Sequence, residues 1–141
     1  AIKRCLDFKN VEVISFGIRN LSASEMKFYN NNRDRIEIFW AKDKNNWDKN
    51  KIKEKILNKN IYITFDVDSF DSGIMPATGT PEPGGLFWDD VIPMIKNICK
   101  NSNVVGADIN ELAPIKNFDS YNFLVAKLAY KILSYTFEFK K

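Results

Sequence analysis

Residues 65–85 read Phe65-Asp66-Val67-Asp68-Ser69-Phe70-Asp71-Ser72-Gly73-Ile74-Met75-Pro76-Ala77-Thr78-Gly79-Thr80-Pro81-Glu82-Pro83-Gly84-Gly85. An apolar run from Ile61 to Phe65 leads into this stretch and reads as a strand. Residues two apart on a strand point to the same side, so Asp66 and Asp68 can aim at one point just past the strand end. Two converging carboxylates are hard oxygen ligands of the kind that suits Mg²⁺ or Mn²⁺. A bare Asp-x-Asp is more often a pair of solvated turn carboxylates, and the long Pro/Gly loop that follows is what sets this one apart. A calcium loop of the EF-hand type starts similarly. It fails here because Phe70 takes a ligand position, Asp71 takes the place of the turn glycine, and Ala77 stands where the closing Glu belongs.

Working outward, the chain alternates strand and helix patterns. Val11–Ile18 reads as a buried strand. Residues 20–35 read as a loop and short helix capped by Ser22 or Ser24, and Arg35–Trp40 as a half-exposed strand with Ile36, Ile38 and Trp40 on one side. Trp47–Asn58 has helical spacing, with Trp47, Ile52, Ile56 and Leu57 inward. Residues 69–86 form the loop. Trp88–Lys100 reads as a helix with Pro93 in its first turn, Val104–Ile109 as a strand, and Asp119–Phe137 as a long helix. Strands alternating with helices mean an α/β fold with a mainly parallel sheet, layered α/β/α. Ligands of such folds sit at the carboxyl ends of the strands, where both the Asp-x-Asp stretch and a second polar stretch, Asp108–Glu111, fall.

Composition narrows the function classes. The chain has 141 residues, 45% hydrophobic and 28% charged, which fits one globular domain or part of one. A net charge of +3 is too mild to argue for nucleic acid. The lysines of residues 42–59 are interleaved with Asp43, Asp48 and Glu54 and read as a solvated helix face. No apolar run approaches the ~20 residues that span a membrane. Cys5 and Cys99 are far apart and show no metal spacing, which fits a reducing, cytoplasmic setting.

Three segments together resemble the ureohydrolase family, the arginases and agmatinases. The first is Thr64-Phe65-Asp66-x-Asp68-x-x-Asp71 followed by Pro76-Ala77-Thr78-Gly79-Thr80-Pro81 and Gly84-Gly85, with Ser72 where the family usually has Pro. The second is Gly106-Ala107-Asp108-Ile109-Asn110-Glu111-Leu112-Ala113-Pro114, similar to G-x-D-x-x-E-x-x-P. The third is Val13 to Arg19, similar to a strand ending in G-I-R. Order and spacing agree with the family. The stretches Pro81–Gly85 and Glu111–Pro114 look most like agmatinases, so the resemblance implies agmatine first and arginine second as the small guanidino substrate.

The resemblance implies roles. Asp66 bridges two Mn²⁺ ions, Asp68 binds one, and Glu111 receives the substrate guanidinium, whose two parallel N–H groups suit a carboxylate. Thr80 stands beside the substrate or is only a turn hydroxyl, and both readings stay open. Asp71 is expected to fix the loop, Asp108 to support the strand end, and Arg19 to be a buried salt-bridge partner. The family's G-G-D-H-S and D-A-H-x-D motifs supply the other ligands, and a chain without histidine cannot supply them. The chain thus resembles the C-terminal part of a ureohydrolase-type domain over residues 1–141. By itself it is expected to be inactive or, alternatively, a non-catalytic folding or assembly piece. In the family, the D-A-H-x-D strand lies between the Asp-x-Asp strand and the G-I-R strand. Open edges at that gap lead to the expectation of a rearranged sheet or a homo-oligomer.

Overall fold

The strand-end carboxylates are positioned by two pairs of parallel strands, seen in a computed structural model that describes residues 2–140. The elements run α1 (Ile2–Cys5), β1 (Val13–Ile18), α2 (Ala23–Asn30), β2 (Ile36–Trp40), a 3-10 segment (Ala41–Asn46) and α3 (Lys49–Ile56). They continue with β3 (Asn60–Asp66), a 3-10 turn (Val67–Ser69), α4 (Trp88–Asn101), β4 (Asn103–Asn110) and α5 (Ser120–Glu138). β1 pairs with β2 and β3 with β4, both in parallel. Parallel neighbours need a crossover, and α4 provides it between β3 and β4, as the alternating pattern predicts.

Local sequence explains the helix starts. Ser22, not Ser24, caps α2, and Glu25 reaches back to the Ser22 amide to complete a capping box. Asp48 accepts from the amides of Asn50 and Lys51 at 2.9 and 3.0 Å and starts α3. α4 begins at Trp88, so Pro93 lies in the second turn rather than the first. The missing amide there frees the Asp89 carbonyl, and both residues are exposed, so water can satisfy it.

Two further expectations need correction. On β2 the buried residue is Phe39, 7% exposed, while Ile36, Ile38 and Trp40 are only partly covered. The reason is aromatic packing: Phe39 stacks on Phe16 of β1 at 4.9 Å and meets Trp47 edge-on at 6.0 Å. Leu57, read as inward, is 46% exposed because α3 stops at Ile56 and Asn58 turns away with φ 57°.

The core lies between β3–β4 and the helices α4 and α5. Ile63, Phe65, Val91, Ile95, Val125, Leu128 and Ile132 meet there, joined by Phe70, Met75 and Leu86 from the long loop. The opposite face of β3–β4 is bare, with Tyr62 and Val105 well exposed.

β1 and β3 lie side by side without a strand ladder between them. Their carboxyl ends are tied where the Arg19 guanidinium reaches the Ser69 carbonyl at 3.1 Å. Their amino ends are tied by Lys59 and Glu12 at 3.0 Å. Between them runs a cleft of about 430 Å³, lined by Val13–Asn20 on one side and by Thr64–Asp66, Asp68 and Ser69 on the other, with Leu86 and Met94 also lining it. The expectation of a rearranged sheet therefore does not hold. The strands neither close up nor swap partners: β1 stays paired with β2 and β3 with β4.

Phe39→Ala should cost about 3–5 kcal/mol, the range for emptying a packed aromatic site, and Trp40→Ala clearly less. Urea unfolding of the two variants checks this order.

Candidate active site

Each candidate residue is placed by the end of a strand or by the loop that follows it. β3 ends at Asp66, whose carboxylate accepts from the Asp68 amide at 3.1 Å and so caps the 3-10 turn Val67–Ser69. This folds Asp68 back beside Asp66 and leaves the second carboxylate oxygen of Asp66 outside that bond. Thr80, from the loop, donates its hydroxyl to Asp68 Oδ2 at 3.2 Å. Of the two readings of Thr80, the hydroxyl thus serves a side chain of the site rather than a neighbouring backbone group.

Glu111 follows β4 with φ 64°, in the left-handed region that side chains other than glycine seldom occupy. The conformation is held because Leu112 bridges Thr78 and the Ala113 amide donates to the Ala77 carbonyl at 2.9 Å. Strain of this kind is characteristic of functional sites. It turns the Glu111 carboxylate toward the loop, where a Cβ placed on Gly79 would lie 3.7 Å from Oε2.

The electrostatics follow from this crowding. Asp66 is pushed above the ordinary carboxylate range, first by loss of water around it, and then by the negative charges of Asp68 and Glu111; the Asp68 amide opposes the shift. Among the described residues, no ion pair involves the side chains of Asp66, Asp68 or Glu111. Three carboxylates near one another without a cation form a site that favours a positive charge. The hard oxygen donors fit a divalent ion. Even so, among the described residues no group of three acidic, histidine or cysteine side chains is arranged to hold one unaided.

The supporting residues behave differently. Asp71 accepts from the amides of Gly73, Gly84 and Gly85 at 2.8, 2.7 and 3.1 Å. These bonds, led by that from Gly73, hold its carboxyl below the usual range, and the residue is the clamp that the sequence suggests. Gly85 must be glycine, because a Cβ there would lie 2.5 Å from the Asp71 amide nitrogen. Asp108 accepts from Thr64 Oγ1 at 2.7 Å and Asn110 Nδ2 at 2.6 Å, and so ties the ends of β3 and β4. Arg19 does have an acidic neighbour, Glu82, at 3.6 Å. Its guanidinium also donates to the carbonyls of Asp68 and Ser69, a role that sequence reasoning missed because those partners lie about fifty residues away.

Fold and site together define a parallel α/β protein with carboxylates gathered at the strand ends. The chain belongs to the arginase family, whose model matches residues 1–134. It is 33% identical to the agmatinase of Pyrococcus horikoshii over 132 residues, covering 94% of this chain and 46% of that protein. It is 40% identical over 103 residues to the N(1)-aminopropylagmatine ureohydrolase of Synechocystis, covering 71% of this chain and 33% of the relative. The agmatine ureohydrolase of Thermoplasma volcanium superposes with a TM-score of 0.78 at 28% identity, over 96% of this chain and 46% of its own. The chain thus spans a third to about half the length of these relatives. Among the described residues no helix is long and apolar enough to cross a membrane.

Because the folded state holds Asp71 ionised more readily than the unfolded chain does, its clamp stabilises the protein above the ordinary aspartate pKa of ~3.9. That contribution is lost as pH falls through the lower folded value. Asp71→Asn should remove this part of the acid dependence, read as a flatter melting temperature below about pH 4.

Proposed function

We propose that this chain supplies the Asp-x-Asp part and the guanidinium receptor of a binuclear manganese ureohydrolase. The substrate class is a small guanidino compound, agmatine first and arginine second, cleaved by water to an amine and urea. The observation that carries this reading is the crowding of Asp66 by the charges of Asp68 and Glu111 at the ends of β3 and β4, where among the described residues no ion pair involves these three side chains. The names of the similar proteins point to the same substrate class.

In this reading Asp66 and Asp68 would be the residues of this chain that hold Mn²⁺, which when bound would supply activation of water at neutral pH. Thr80 keeps the Asp68 carboxylate oriented through its hydroxyl. Glu111, fixed by its strained backbone, accepts two N–H groups of the planar guanidinium and places the guanidinium carbon. Addition of hydroxide to that carbon neutralises the guanidinium, so Glu111 contributes by binding the cation and fixing its orientation for attack. Two aspartates leave most coordination positions of a metal to water, so binding to this chain alone is weak. The remaining ligands come from polypeptide outside these 141 residues, and the cleft between β1 and β3 opens beside Asp66 and Asp68.

The chain alone should therefore release no urea from agmatine or arginine in excess Mn²⁺. Turnover in the ordinary enzyme range of ~1–10³ per second would sink this reading.

In the complete enzyme, Asp66→Ala and Asp68→Ala should each lose most bound manganese along with activity. Glu111→Gln should keep its metal and lose about a hundredfold or more in kcat/KM, since a neutral amide cannot pair with guanidinium. Metal analysis beside kinetics separates the two groups. If Glu111→Gln loses metal as the aspartate variants do, the division of roles is wrong.

A further inference from the structure

β1 does not run straight to its end. Phe16 pairs with Phe39 and Ile18 with Trp40, so β1 advances two residues while β2 advances one. The extra residue is Gly17, at φ 77°, which makes this a bulge of the glycine type. A side chain there would also strike Leu86, 3.0 Å from where its Cβ would sit. Bulges re-aim the residues that follow, and here the redirected residue is Arg19.

The Arg19 side chain is 12% exposed. Its Nη2 donates to the Asp68 carbonyl and its Nη1 to the Ser69 carbonyl at 3.1 Å. Nε makes no hydrogen bond and faces the Glu82 carboxylate at 3.6 Å, which holds the fork in place by charge. The neighbouring Asn20 donates to the same Glu82 carboxylate. One guanidinium thus spans the cleft from β1 and grips the backbone of the turn that carries Asp66 and Asp68.

We infer that Arg19 is the positioning residue for the metal-binding turn: its fork on the Asp68 and Ser69 carbonyls sets where the Asp68 carboxylate points. The inference rests on the reading of Asp66 and Asp68 as manganese ligands. From the loop side the Leu86 amide donates to the Ser69 carbonyl at 2.9 Å, and from the β1 side the Arg19 fork supplies hydrogen bonds to the turn. A planar fork with two fixed donors suits two successive carbonyls, whereas lysine offers a single point charge and cannot bridge both. Groups that orient metal ligands typically change metal affinity about 10–100-fold when altered.

Arg35 provides an internal control. It also grips carbonyls, those of Leu6 at 2.9 Å and Val11 at 3.1 Å, but at the opposite end of β1. The test compares Arg19→Lys, Arg35→Lys and Asp68→Asn with the unaltered 141-residue chain. Mn²⁺ binding is followed by the loss of the free-ion paramagnetic resonance signal. Amide hydrogen exchange is followed at Asp68 and Phe70, whose amides close the turn onto Asp66 and Val67. Arg19→Lys should weaken Mn²⁺ binding about 10-fold or more and speed exchange at both amides. Arg35→Lys should lower the melting temperature and leave both readouts at the wild-type level.

Wild-type values for Arg19→Lys, or equal shifts in Arg35→Lys, would overturn the inference. Should the unaltered chain and Asp68→Asn titrate alike, the ligand reading fails instead, and exchange at Asp68 and Phe70 in the metal-free chain then decides whether Arg19 positions the turn. If Arg19→Lys does not fold, Glu82→Gln removes only the charge that steadies Nε. It should shift both readouts the same way by a smaller factor, about two- to fivefold, and no shift counts against the inference.

Discussion

Three backbone amides, those of Gly73, Gly84 and Gly85, converge on the single carboxylate of Asp71, and the candidate site depends on that convergence. The loop between β3 and α4 is long, and a loop of that length folded inward would carry unsatisfied polar groups. Asp71 satisfies three of them at once. Its own amide donates to the Leu86 carbonyl at 2.9 Å, which closes the loop at its far end. With the ends joined, Phe70, Met75 and Leu86 sink into the core at 0–1% exposure. The loop becomes a buttress for the turn before it, and Thr80 is delivered to Asp68 as a result. Charge-assisted bonds from amides to a carboxylate are stronger than neutral ones, which is why an aspartate stands at this position.

The carboxylates at the strand ends raise the opposite problem. Asp71 and Asp108 are each saturated by donors and sit below the ordinary carboxylate range. Asp66 loses water around it, is then crowded by like charges, and sits above it. Within a few residues the same side-chain type is stabilised as an anion in one place and destabilised in another, and the difference lies in what surrounds it. Donor-saturated aspartates hold architecture, whereas Asp66 is short of water and of donors and surrounded by negative charge.

Much of this was legible in the sequence because it is local. Asp66, Asp68, Asp71 and the Pro/Gly loop are contiguous, but what brings the first two together is the 3-10 turn that Asp66 caps, not the strand periodicity the sequence suggests, since β3 ends at Asp66. Parallel pairing also follows from alternating patterns. What was not legible depends on distant neighbours. Phe39 is chosen for burial by Phe16 and Trp47, not by its own alternation. Arg19 finds carbonyls that only the folded chain places within reach. The left-handed backbone of Glu111 is imposed by the Thr78–Leu112 and Ala77–Ala113 contacts and leaves no mark in the motif itself.

That left-handed backbone bears on how residue 111 can change over generations. An L-residue in this region carries a penalty of roughly 1–2 kcal/mol that glycine does not. A drift to glycine would therefore relax the backbone while deleting the carboxylate, and both effects would come from one codon. Stability and chemistry pull in opposite directions at this residue. Where the proposed role of Glu111 were dispensed with, nothing would oppose the relaxed residue, so the identity of position 111 would record whether that carboxylate is in use.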